Sequence, residues 1–371
     1  MRVAMVSPYS QSRPGGVQGQ VVGLGHALRE LGHEVSVVAP DDHRRVGEVD
    51  PDGTFVVGRS TGIRTNGSVA PVALRPDAAR RAARFVVEGN FDVVHLHEPM
   101  TPIVPYGCLI SARSPIIGTF HRSGASAWYT ALRPLARWAA GRLEVRCAVS
   151  EAARATAHAA LGGEYRVLYN GVNVARFANA VPYPTEGPTV LYVGRHEERK
   201  GLGVLLEAFA SVPAAATLWV ASEGPQTERL RAAYPPSQRI QWIGELPEDE
   251  LAARMAGADV LCAPSLFGES FGMVVLEGLA AGCVVVASDL DGYRAATGDH
   301  ALLVRPGDAS SLAAGLTVAV EEAAAGIGRA SASARLAVRR HVDEWSLGHL
   351  ALAYTDIYKE ACSSWVPRGA R

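Results

Sequence analysis

The chain has 371 residues, of which 48% are hydrophobic and 20% are charged, and its formal net charge is −1. This length predicts two domains, and the near-zero charge argues against a nucleic-acid-binding protein. The five cysteines are scattered without a Cys-x-x-Cys pair, so neither a disulfide framework nor a zinc ribbon is expected. Residues 1–10 have the pattern of a strand rather than of a leader peptide, and no apolar run approaches the ~20 residues of a spanning helix, so any membrane contact should be peripheral.

Short β-branched runs alternate with alanine- and leucine-rich helical stretches along the whole chain. This alternation is typical of parallel sheets covered by helices, so the predicted fold class is α/β with two doubly wound, Rossmann-like domains. The first domain is predicted to have strands at residues 3–6, 35–38, 92–97, 116–120, 147–149 and 166–168. The second is predicted to have strands at residues 190–193, 217–220, 240–243, 260–262, 284–287 and 302–304.

A turn at Asn170 and Gly171, followed by a proline-rich stretch at residues 182–188, predicts the break between the domains. The predicted domains are residues 1–172 and 173–345, and a C-terminal segment, residues 346–371, is expected to return to the first domain as a helix. Ligands bind outside the carboxyl ends of the strands in open α/β sheets. We therefore expect the two domains to face a central cleft that holds the site.

The first strand is followed by the sequence Pro-Gly-Gly-Val-Gln at residues 14–18, where a helix is predicted to begin. Gly15 and Gly16 would let the backbone approach a ligand closely, although a tight turn would also need such residues. The Gly-x-Gly-x-x-Gly spacing of a dinucleotide fingerprint is missing, which disfavours a nicotinamide-dependent dehydrogenase.

Residues 194–201 read Gly-Arg-His-Glu-Glu-Arg-Lys-Gly and lie between a predicted strand and a predicted helix. Arg195 and Lys200 therefore stand near a helix N-terminus, where the helix dipole disfavours cations. Such a placement suits a bound anion such as a diphosphate, because the cations would stabilise the charge that develops on a departing group. A solvated charge cluster is the alternative.

Residues 267–278 read Phe-Gly-Glu-Ser-Phe-Gly-Met-Val-Val-Leu-Glu-Gly. Glu269 is predicted just before a helix and Glu277 about two turns inside it, so that both carboxylates could face one ligand. Free backbone N–H groups near Phe271 and Gly272 would meet an anionic or hydroxyl-rich ligand. The pattern points to sugar transfer. The alternative is a capped helix with two solvated glutamates, which explains the glycines and Ser270 less well.

Six motifs in this order resemble those of retaining GT-B glycosyltransferases of glycosyltransferase family 4, above all the actinobacterial phosphatidylinositol mannosyltransferases. The motifs are Pro-Gly-Gly-Val-Gln, His-x-His-Glu-Pro, Gly-Thr-Phe-His, Asn-Gly-Val, Gly-Arg-x-Glu-x-Arg-Lys-Gly and Glu-Ser-Phe-Gly-x-x-x-x-Glu. The resemblance covers nearly the whole chain. It implies a metal-independent hexosyltransferase without a cofactor that moves mannose from GDP-mannose to an inositol-containing phospholipid, working peripherally at the cytoplasmic, inner face of the plasma membrane.

The resemblance also implies roles for residues at the donor. Glu269 would meet the hydroxyls of the transferred sugar, and Glu277 would hold the donor ribose. Arg195 and Lys200 would grip the diphosphate, with Gly16 as a further backbone contact. Phe271 and Gly272 complete the residues expected to bind the donor.

At the acceptor, the same resemblance assigns Tyr9 and Gln18 to the cyclitol pocket. His121 would lie beside the C6 hydroxyl of the transferred sugar, so that it joins Arg195, Lys200 and Glu269 as a candidate catalytic residue. A histidine with satisfied hydrogen bonds in the core is the alternative for His121, and its place at the carboxyl end of a predicted strand favours the functional interpretation.

The chain departs from the family at several positions. Met100 and Arg122 replace a polar and a small hydroxyl residue near the acceptor, residues 245–248 differ where the base is read, and the loop from Arg195 to Lys200 is one residue shorter. These departures leave open a transferase that uses another nucleotide sugar and a soluble cyclitol or natural-product acceptor. Further alternatives are a non-hydrolysing epimerase and a non-catalytic sugar-binding protein, which would need export.

Two patterns mimic metal sites. Asp289 and Asp291 form an Asp-x-Asp sequence after a predicted strand, and we interpret it as part of a loop. His95 and His97 project from one face of a strand, but without a third ligand a packing or hydrogen-bonding role is favoured over a metal.

A helix is predicted at residues 76–88 with Arg80, Arg81 and Arg84 on its polar side and Ala82, Phe85 and Val86 on its apolar side. By pattern alone, an ordinary solvated helix and a membrane-binding helix are nearly balanced. The resemblance favours membrane binding, because family members use basic residues on the matching helix to reach anionic phospholipid.

Overall fold

The computed structural model describes residues 1–13, 15–65, 68–122, 133–269 and 271–367. It divides into two compact units, which we call unit 1 (Met1–Gly171 with Leu347–Arg371) and unit 2 (Val172–Ser346). These bounds lie within one residue of the domain limits expected from the sequence. Among the helices of the described residues, none combines the length and apolar character needed to span a lipid bilayer.

The secondary structure alternates between strands and helices through both units. In chain order, the strands are β1 (Arg2–Val6), β2 (Glu34–Ala39), β3 (Thr54–Val56), β4 (Thr61–Thr65), β5 (Ser68–Val72), β6 (Val93–His97), β7 (Ile116–Phe120), β8 (Val145–Ala148), β9 (Arg166–Val167), β10 (Thr189–Val193), β11 (Thr217–Ala221), β12 (Ile240–Gly244), β13 (Val260–Ala263), β14 (Val284–Ser288) and β15 (Ala301–Val304).

Helices follow most of these strands. In chain order, they are α1 (Gly16–Glu30), α2 (Pro76–Glu88), α3 (Val104–Ser111), α4 (Arg133–Ala140), α5 (Glu151–Leu161), α6 (Val174–Ala178), α7 (Leu202–Phe209), α8 (Thr227–Ala233), α9 (Glu248–Gly257), α10 (Met273–Ala281), α11 (Asp291–Thr297), α12 (Ala309–Ala325), α13 (Ala332–Glu344) and α14 (Leu347–Ser364).

Unit 1 contains a parallel sheet with the strand order β3-β2-β1-β6-β7-β8-β9. Side chains alternate across it, because successive residues of a strand point to opposite faces. Val3 and Met5 of β1 belong to a core that includes α1 and α14, whereas Ala4 and Val6 belong to a core that includes α2 to α5. Helix α14 is therefore part of the unit 1 core, although it comes at the end of the chain.

Unit 2 contains a parallel sheet with the strand order β12-β11-β10-β13-β14-β15. Its buried strands pack on α7 and α12, as in the contact group of Val190, Leu205 and Leu316. In each sheet the strand order reverses at one point, which lies between β1 and β6 in unit 1 and between β10 and β13 in unit 2. The prediction of an α/β fold with two doubly wound sheets is confirmed.

The strand predictions agree with the structure within two residues, but β3, β4 and β5 were missed. Strand β3 is only three residues long, and β4 and β5 form a separate antiparallel hairpin rather than part of the alternating pattern. An Asn-Gly pair, which is a sequence signal for a hairpin turn, stands between β4 and β5 at positions 66 and 67, outside the described residues. Helix α2 has the predicted bounds.

Candidate functional site

The loops after β10 and β13 meet at the reversal point of the unit 2 sheet, where doubly wound sheets bind ligands. The N–H of Leu266 donates to the carbonyl of Arg199 at 2.7 Å. Gly201 has φ +68°, and a Cβ at this position would lie 1.9 Å from the carbonyl oxygen of Pro264. Only glycine allows this approach, so Gly201 brings Lys200 next to the loop that carries Glu269.

Glu269 is the centre of a charged cluster in unit 2. Its Oε1 accepts hydrogen bonds from Lys200 Nζ at 2.5 Å, Arg199 Nη1 at 3.2 Å and Ser265 Oγ at 3.1 Å. The Glu269 side chain is only 11% exposed, so these contacts compensate a nearly buried charge. All three donors use Oε1, and Oε2 has no hydrogen-bond partner within the described part of the chain. Oε2 is thus available to accept ligand hydroxyls.

The Arg195 side chain does not take part in the hydrogen bonds of this cluster. The side chain is exposed at the carboxyl end of β10 and makes no ion pair with any described residue. By contrast, the neighbouring His196 is buried and fully bonded, to Thr227 Oγ1 at 2.8 Å and to the carbonyl of Ala221 at 3.1 Å. The described residues therefore leave the positive charge of Arg195 uncompensated, which is compatible with the expected anion contact.

The start of α10 corrects one expectation and is consistent with another. The helix begins at Met273, so Glu277 lies just over one turn inside it rather than two. Gly272 has φ +82°, and a Cβ there would lie 2.4 Å from the Tyr293 ring, so this glycine is required by the fold itself. Phe271 is 4% exposed, and its ring centroid lies 5.1 Å from that of Trp345. Any ligand contact of Phe271 and Gly272 would therefore come from their backbone.

Glu277 is a partly buried carboxyl group on α10. Burial raises its pKa to about 7, with a further rise from Glu248, while Arg176 opposes the shift. Arg176 and Glu248 form an ion pair with each other. Glu277 itself makes no hydrogen bond to the described residues, so its carboxyl oxygens are free for the expected ribose hydroxyls.

In unit 1, the loops after β6 and β7 bring His97, Glu98 and His121 together. His97 Nδ1 and His121 Nε2 are 2.9 Å apart, and the backbone N–H of His121 donates to Glu98 Oε1 at 2.6 Å. Glu98 is 4% exposed and has φ +48°, an unusual backbone conformation for a residue other than glycine. Burial raises the Glu98 pKa, and burial also lowers the His121 pKa to about 3, so the His121 ring is neutral.

Of the predicted acceptor residues, Tyr9 lies in the loop after β1 and Gln18 lies in the first turn of α1. Tyr9 is half-buried, and its pKa is raised first by burial and then by the charge of Glu98. Gln18 is 8% exposed, and its Nε2 donates to the carbonyl of Ser10 at 3.4 Å. Gly16 is the exposed first residue of α1 and has open space around its Cα. Tyr9 is thus placed with Glu98, whereas Gln18 is engaged by its own loop.

The two patterns that mimic metal sites have other partners. His95 is bonded through Nδ1 to Tyr358 OH and through Nε2 to Thr119 Oγ1, both at 2.7 Å, which confirms its hydrogen-bonding role. Asp289 and Asp291 both pair with Arg294 on the surface. Among the described residues, no group of three His, Cys, Asp or Glu side chains could hold a metal ion.

Helix α2 packs its apolar side on the unit 1 core, and one of its three arginines expected at a membrane also turns inward. Ala82 and Val86 are buried in the unit 1 core, and the Phe85 ring stacks on Phe55 with centroids 4.2 Å apart. Arg81 also turns inward, because its Nε donates to the carbonyl of Val57 at 2.7 Å. Of the three arginines expected to meet a membrane, Arg80 and Arg84 are exposed.

Three residues with clear contacts in these clusters were not among the predicted site residues. Arg199 and Ser265 both bond Glu269, and Glu98 holds the backbone of His121. Arg199 and Glu98 stand inside quoted motifs, and Arg199 adjoins the chosen Lys200, so their motif membership was the available signal. Ser265 had no such signal, because its role depends on where β13 ends.

Two sequence families match most of the chain. Residues 14–176 match "Glycosyltransferase Family 4", and residues 187–322 match "Glycosyl transferases group 1". The solved structure of a sucrose-phosphate synthase from Thermosynechococcus elongatus is similar with a TM-score of 0.75 and 20% identity, covering 98% of this chain and 100% of that chain. At this identity the structural similarity supports the fold alone.

Whole-length relatives are more specific. A protein of Mycolicibacterium smegmatis named phosphatidyl-myo-inositol mannosyltransferase is 40% identical over 362 residues, which cover 94% of this chain and 91% of the relative. A protein of Mycobacterium tuberculosis with the same name is 38% identical over 366 residues, covering 94% of each.

Proposed function

The chain belongs to the glycosyltransferase family that includes the phosphatidyl-myo-inositol mannosyltransferases, and on this premise we propose that it transfers mannose from GDP-mannose to phosphatidylinositol. The observation that carries the proposal is the 40% identity over 94% of the chain with a relative of that name. It is a hexosyltransferase by family, and the nucleotide, the sugar and the lipid acceptor are the proposed parts.

The proposed reaction retains the anomeric configuration. The bond from the anomeric carbon to the diphosphate oxygen breaks through an oxocarbenium-like state, and the bond to the acceptor oxygen forms on the same face. The departing phosphate oxygen takes the proton of the acceptor hydroxyl, so no further base is needed. Arg195 and Lys200 stabilise the charge that develops on the diphosphate, which is the role that fixed cations play in such transfers.

Around the donor sugar, Glu269 accepts hydroxyl hydrogen bonds through its free Oε2, while Lys200 and Arg199 hold Oε1. Glu277 accepts from the ribose hydroxyls. In unit 1, His121 meets the C6 hydroxyl, and Tyr9 and Gln18 contact the inositol ring. The donor contact assigned to the Gly16 backbone is supported only by the open space around it. No metal or cofactor enters this scheme.

The acceptor requires that the protein reach a membrane. We place it peripherally at the inner face of the plasma membrane, held by the electrostatic attraction of Arg80 and Arg84 to anionic lipids. These two side chains are exposed on α2, and the neighbouring Leu74 is 41% exposed. Each basic side chain near an anionic surface contributes about 1 kcal/mol.

The test combines four donors with two acceptors. Purified protein is incubated with GDP-mannose, GDP-glucose, UDP-glucose or UDP-mannose and with either phosphatidylinositol vesicles or free myo-inositol, and products are identified by mass spectrometry. We expect a hexosylated lipid only from GDP-mannose with the vesicles. Transfer to a soluble cyclitol, or from a uridine donor, would replace the proposal by the alternative function. Thermal shifts with GDP and UDP provide an independent readout, because a ligand stabilises the folded state it binds.

A further inference from the structure

His121 is held at two points by consecutive residues of the neighbouring chain segment. His97, the last residue of β6, lies 2.9 Å from the His121 ring through Nδ1 and Nε2, and Glu98 accepts the His121 backbone N–H at 2.6 Å. The ring centroids of His97 and His121 are 5.2 Å apart. Both the position and the ring direction of His121 therefore depend on the end of β6.

The outer nitrogens of this pair are free. His97 Nε2 and His121 Nδ1 are shielded from solvent, and neither has a hydrogen-bond partner among the described residues. A neutral imidazole carries one proton, so one of its nitrogens donates and the other accepts. Since one hydrogen bond joins the two rings, only two arrangements exist for a neutral pair.

In the first arrangement His97 Nδ1 donates, the proton of His121 is on Nδ1, and the outer nitrogen of His121 is a donor. In the second, His121 Nε2 donates and its outer nitrogen is a bare acceptor. Both rings stay neutral because burial lowers the pKa of each, that of His121 to about 3. The hydrogen-bonding role of His121 toward a ligand is thus tied to the proton position on His97.

His97 itself is fixed from its other side. Its ring stacks on His95 with centroids 4.3 Å apart, and His95 is bonded at both nitrogens, to Tyr358 OH and Thr119 Oγ1. Thr119 Oγ1 is also 2.8 Å from Tyr354 OH. Because Tyr354 and Tyr358 belong to α14, the end of the chain helps to hold the plane of the His97 ring.

We propose that His97 is a positioning residue of the transfer reaction: it fixes the ring orientation and the tautomer that His121 presents to a hydroxyl of the transferred sugar. This inference rests on the proposed function, which supplies the hydroxyl. A sugar hydroxyl can donate or accept, so a fixed tautomer selects one orientation of that hydroxyl. Glu98 supports the arrangement by holding the His121 backbone.

The kinetic test compares His97→Phe, which keeps a stackable ring but removes the nitrogen, with His97→Asn, whose amide can replace Nδ1. Each is assayed with GDP-mannose and with GDP-6-deoxymannose, which lacks the C6 hydroxyl. His300→Phe is the matched control, because His300 also belongs to a histidine pair. In unit 2, the ring centroids of His300 and His341 are 4.9 Å apart. By analogy with the groups that orient metal-bound histidines, His97→Phe should lower kcat with GDP-mannose by about 10- to 100-fold.

The expected pattern is specific to a positioning role. His97→Phe should change kcat by less than about threefold with the deoxy donor, because the hydroxyl that His121 orients is then missing. GDP affinity should be unchanged, and His97→Asn should recover part of kcat. An equal loss with both donors would show that His97 only supports the fold and would overturn the inference.

A spectroscopic measurement separates this inference from the proposed function. In protein with ¹⁵N-labelled histidine, His121 should show a single neutral tautomer, with the same ring nitrogen protonated in all molecules. His97→Phe should produce a mixture of the two tautomers. A mixture already present in the unsubstituted protein, or no change in His97→Phe, would overturn the inference even if mannose transfer is confirmed. If GDP-mannose is not a donor at all, the proposed function fails, while the tautomer result still decides the role of His97. Should His97→Phe not fold, His97→Asn and the unsubstituted protein provide the same readouts.

Discussion

The two sheets reverse their strand order in the same way, yet the residues at the two reversal points have different chemistry. In unit 2, Glu269 is bonded by Lys200 and Arg199, and Arg195 stands exposed beside them. In unit 1, the carboxyl group of Glu98 is bonded by a backbone N–H, and its neighbour His121 is paired with another histidine. One end therefore has exposed cations around a carboxylate, whereas the other joins a buried carboxyl group to a pair of histidines.

Burial explains much of this difference. Glu98 is 4% exposed, so desolvation raises its pKa, while the hydrogen bond from the His121 backbone and the charge of Arg122 oppose the rise. Lys200 and Arg199 are 21% and 38% exposed, so they keep water contacts while they compensate Glu269. The sheet topology determines where the loops meet. The solvent exposure of the side chains and the type of their partners determine which charged groups occur there. Exposed cations suit a diphosphate, and a neutral histidine pair suits sugar hydroxyls.

Removal of the charged cluster of unit 2 should cause the greatest loss of activity. Glu269→Ala and Lys200→Ala should each lower kcat by about 10² or more, because preorganised charge stabilises the transition state. Folding should be retained, since both side chains lie in loops at the sheet edge. Initial rates and thermal melts measure the two effects.

Arg294→Ala is the matched control for the charged cluster. It removes the ion pairs that Arg294 makes with Asp289 and Asp291 on the surface of the same unit. Exposed ion pairs contribute little to the free energy of unfolding. It should leave kcat and the melting temperature nearly unchanged. Near-normal turnover by a folded Glu269→Ala protein would show that the site has been placed wrongly.

The second prediction concerns exposed charge on unit 1. Arg80→Ser/Arg84→Ser should weaken binding to anionic vesicles about 30-fold, from two contributions of ~1 kcal/mol each, and GDP affinity should not change. Arg84 pairs with Glu88 at 2.7 Å, and this exposed pair should not prevent lipid binding. Co-sedimentation at low and high salt measures the effect.

Arg81→Ser tests the correction made by the structure. Its guanidinium bonds the Val57 carbonyl and Asp77, so its loss should lower stability by about 1 kcal/mol and affect vesicle binding less than the double substitution. Failure of the unsubstituted protein to bind anionic vesicles at low salt would contradict a lipid acceptor.

The sequence was a good guide to the sheets because their strands are continuous apolar runs. Strand β7 and helix α2 have the predicted bounds. It failed for β3 to β5, where the strands are short or belong to a separate hairpin. It also grouped Arg81 with the exposed arginines of α2, because a periodic pattern identifies the polar face of a helix but not which of its side chains folds back on a neighbouring segment.

At the site, the motifs led to Glu269, Lys200 and His121, but not to their partners. The bond from Ser265 to Glu269 requires two loop segments in a specific conformation, and the pairing of His97 with His121 requires the register of β6 and β7. These contacts arise from tertiary structure, so spacing along the chain does not contain them. The roles implied by the family resemblance stay predictions.

The third prediction asks whether burial, rather than the unit, decides the charge state. Glu277 lies in unit 2, yet its pKa is raised from 4.5 to about 7 by burial. The folded state then binds the proton more tightly than the unfolded state, so the carboxyl group's contribution to stability falls as pH rises from about 4.5 to 7. Glu277→Gln should melt higher than the unsubstituted protein at pH 8, on the order of 2–4 °C, and this difference should vanish below pH 4.5. A difference that is constant with pH would show that Glu277 is not desolvated. The ligand-free protein must be used, because a bound ribose would add its own interaction.

The smallest expected effect is that of metal removal. In the proposed reaction, fixed cations of unit 2, chiefly Arg195 and Lys200, balance the negative charge of the diphosphate. A divalent ion is therefore not needed for this purpose. EDTA should leave the initial rate unchanged, and Asp289→Asn/Asp291→Asn should transfer sugar at the normal rate because both carboxylates are already paired with Arg294. Rates are measured with and without added Mg²⁺ or Mn²⁺ on protein freed of metals by dialysis. If EDTA abolishes transfer and Mn²⁺ restores it in the unsubstituted protein but not in the double variant, these aspartates bind a metal and the cations alone are insufficient. If the metal acts equally on both proteins, its site lies elsewhere, and the contrast between exposed cations in unit 2 and a neutral histidine pair in unit 1 would have to include that ion.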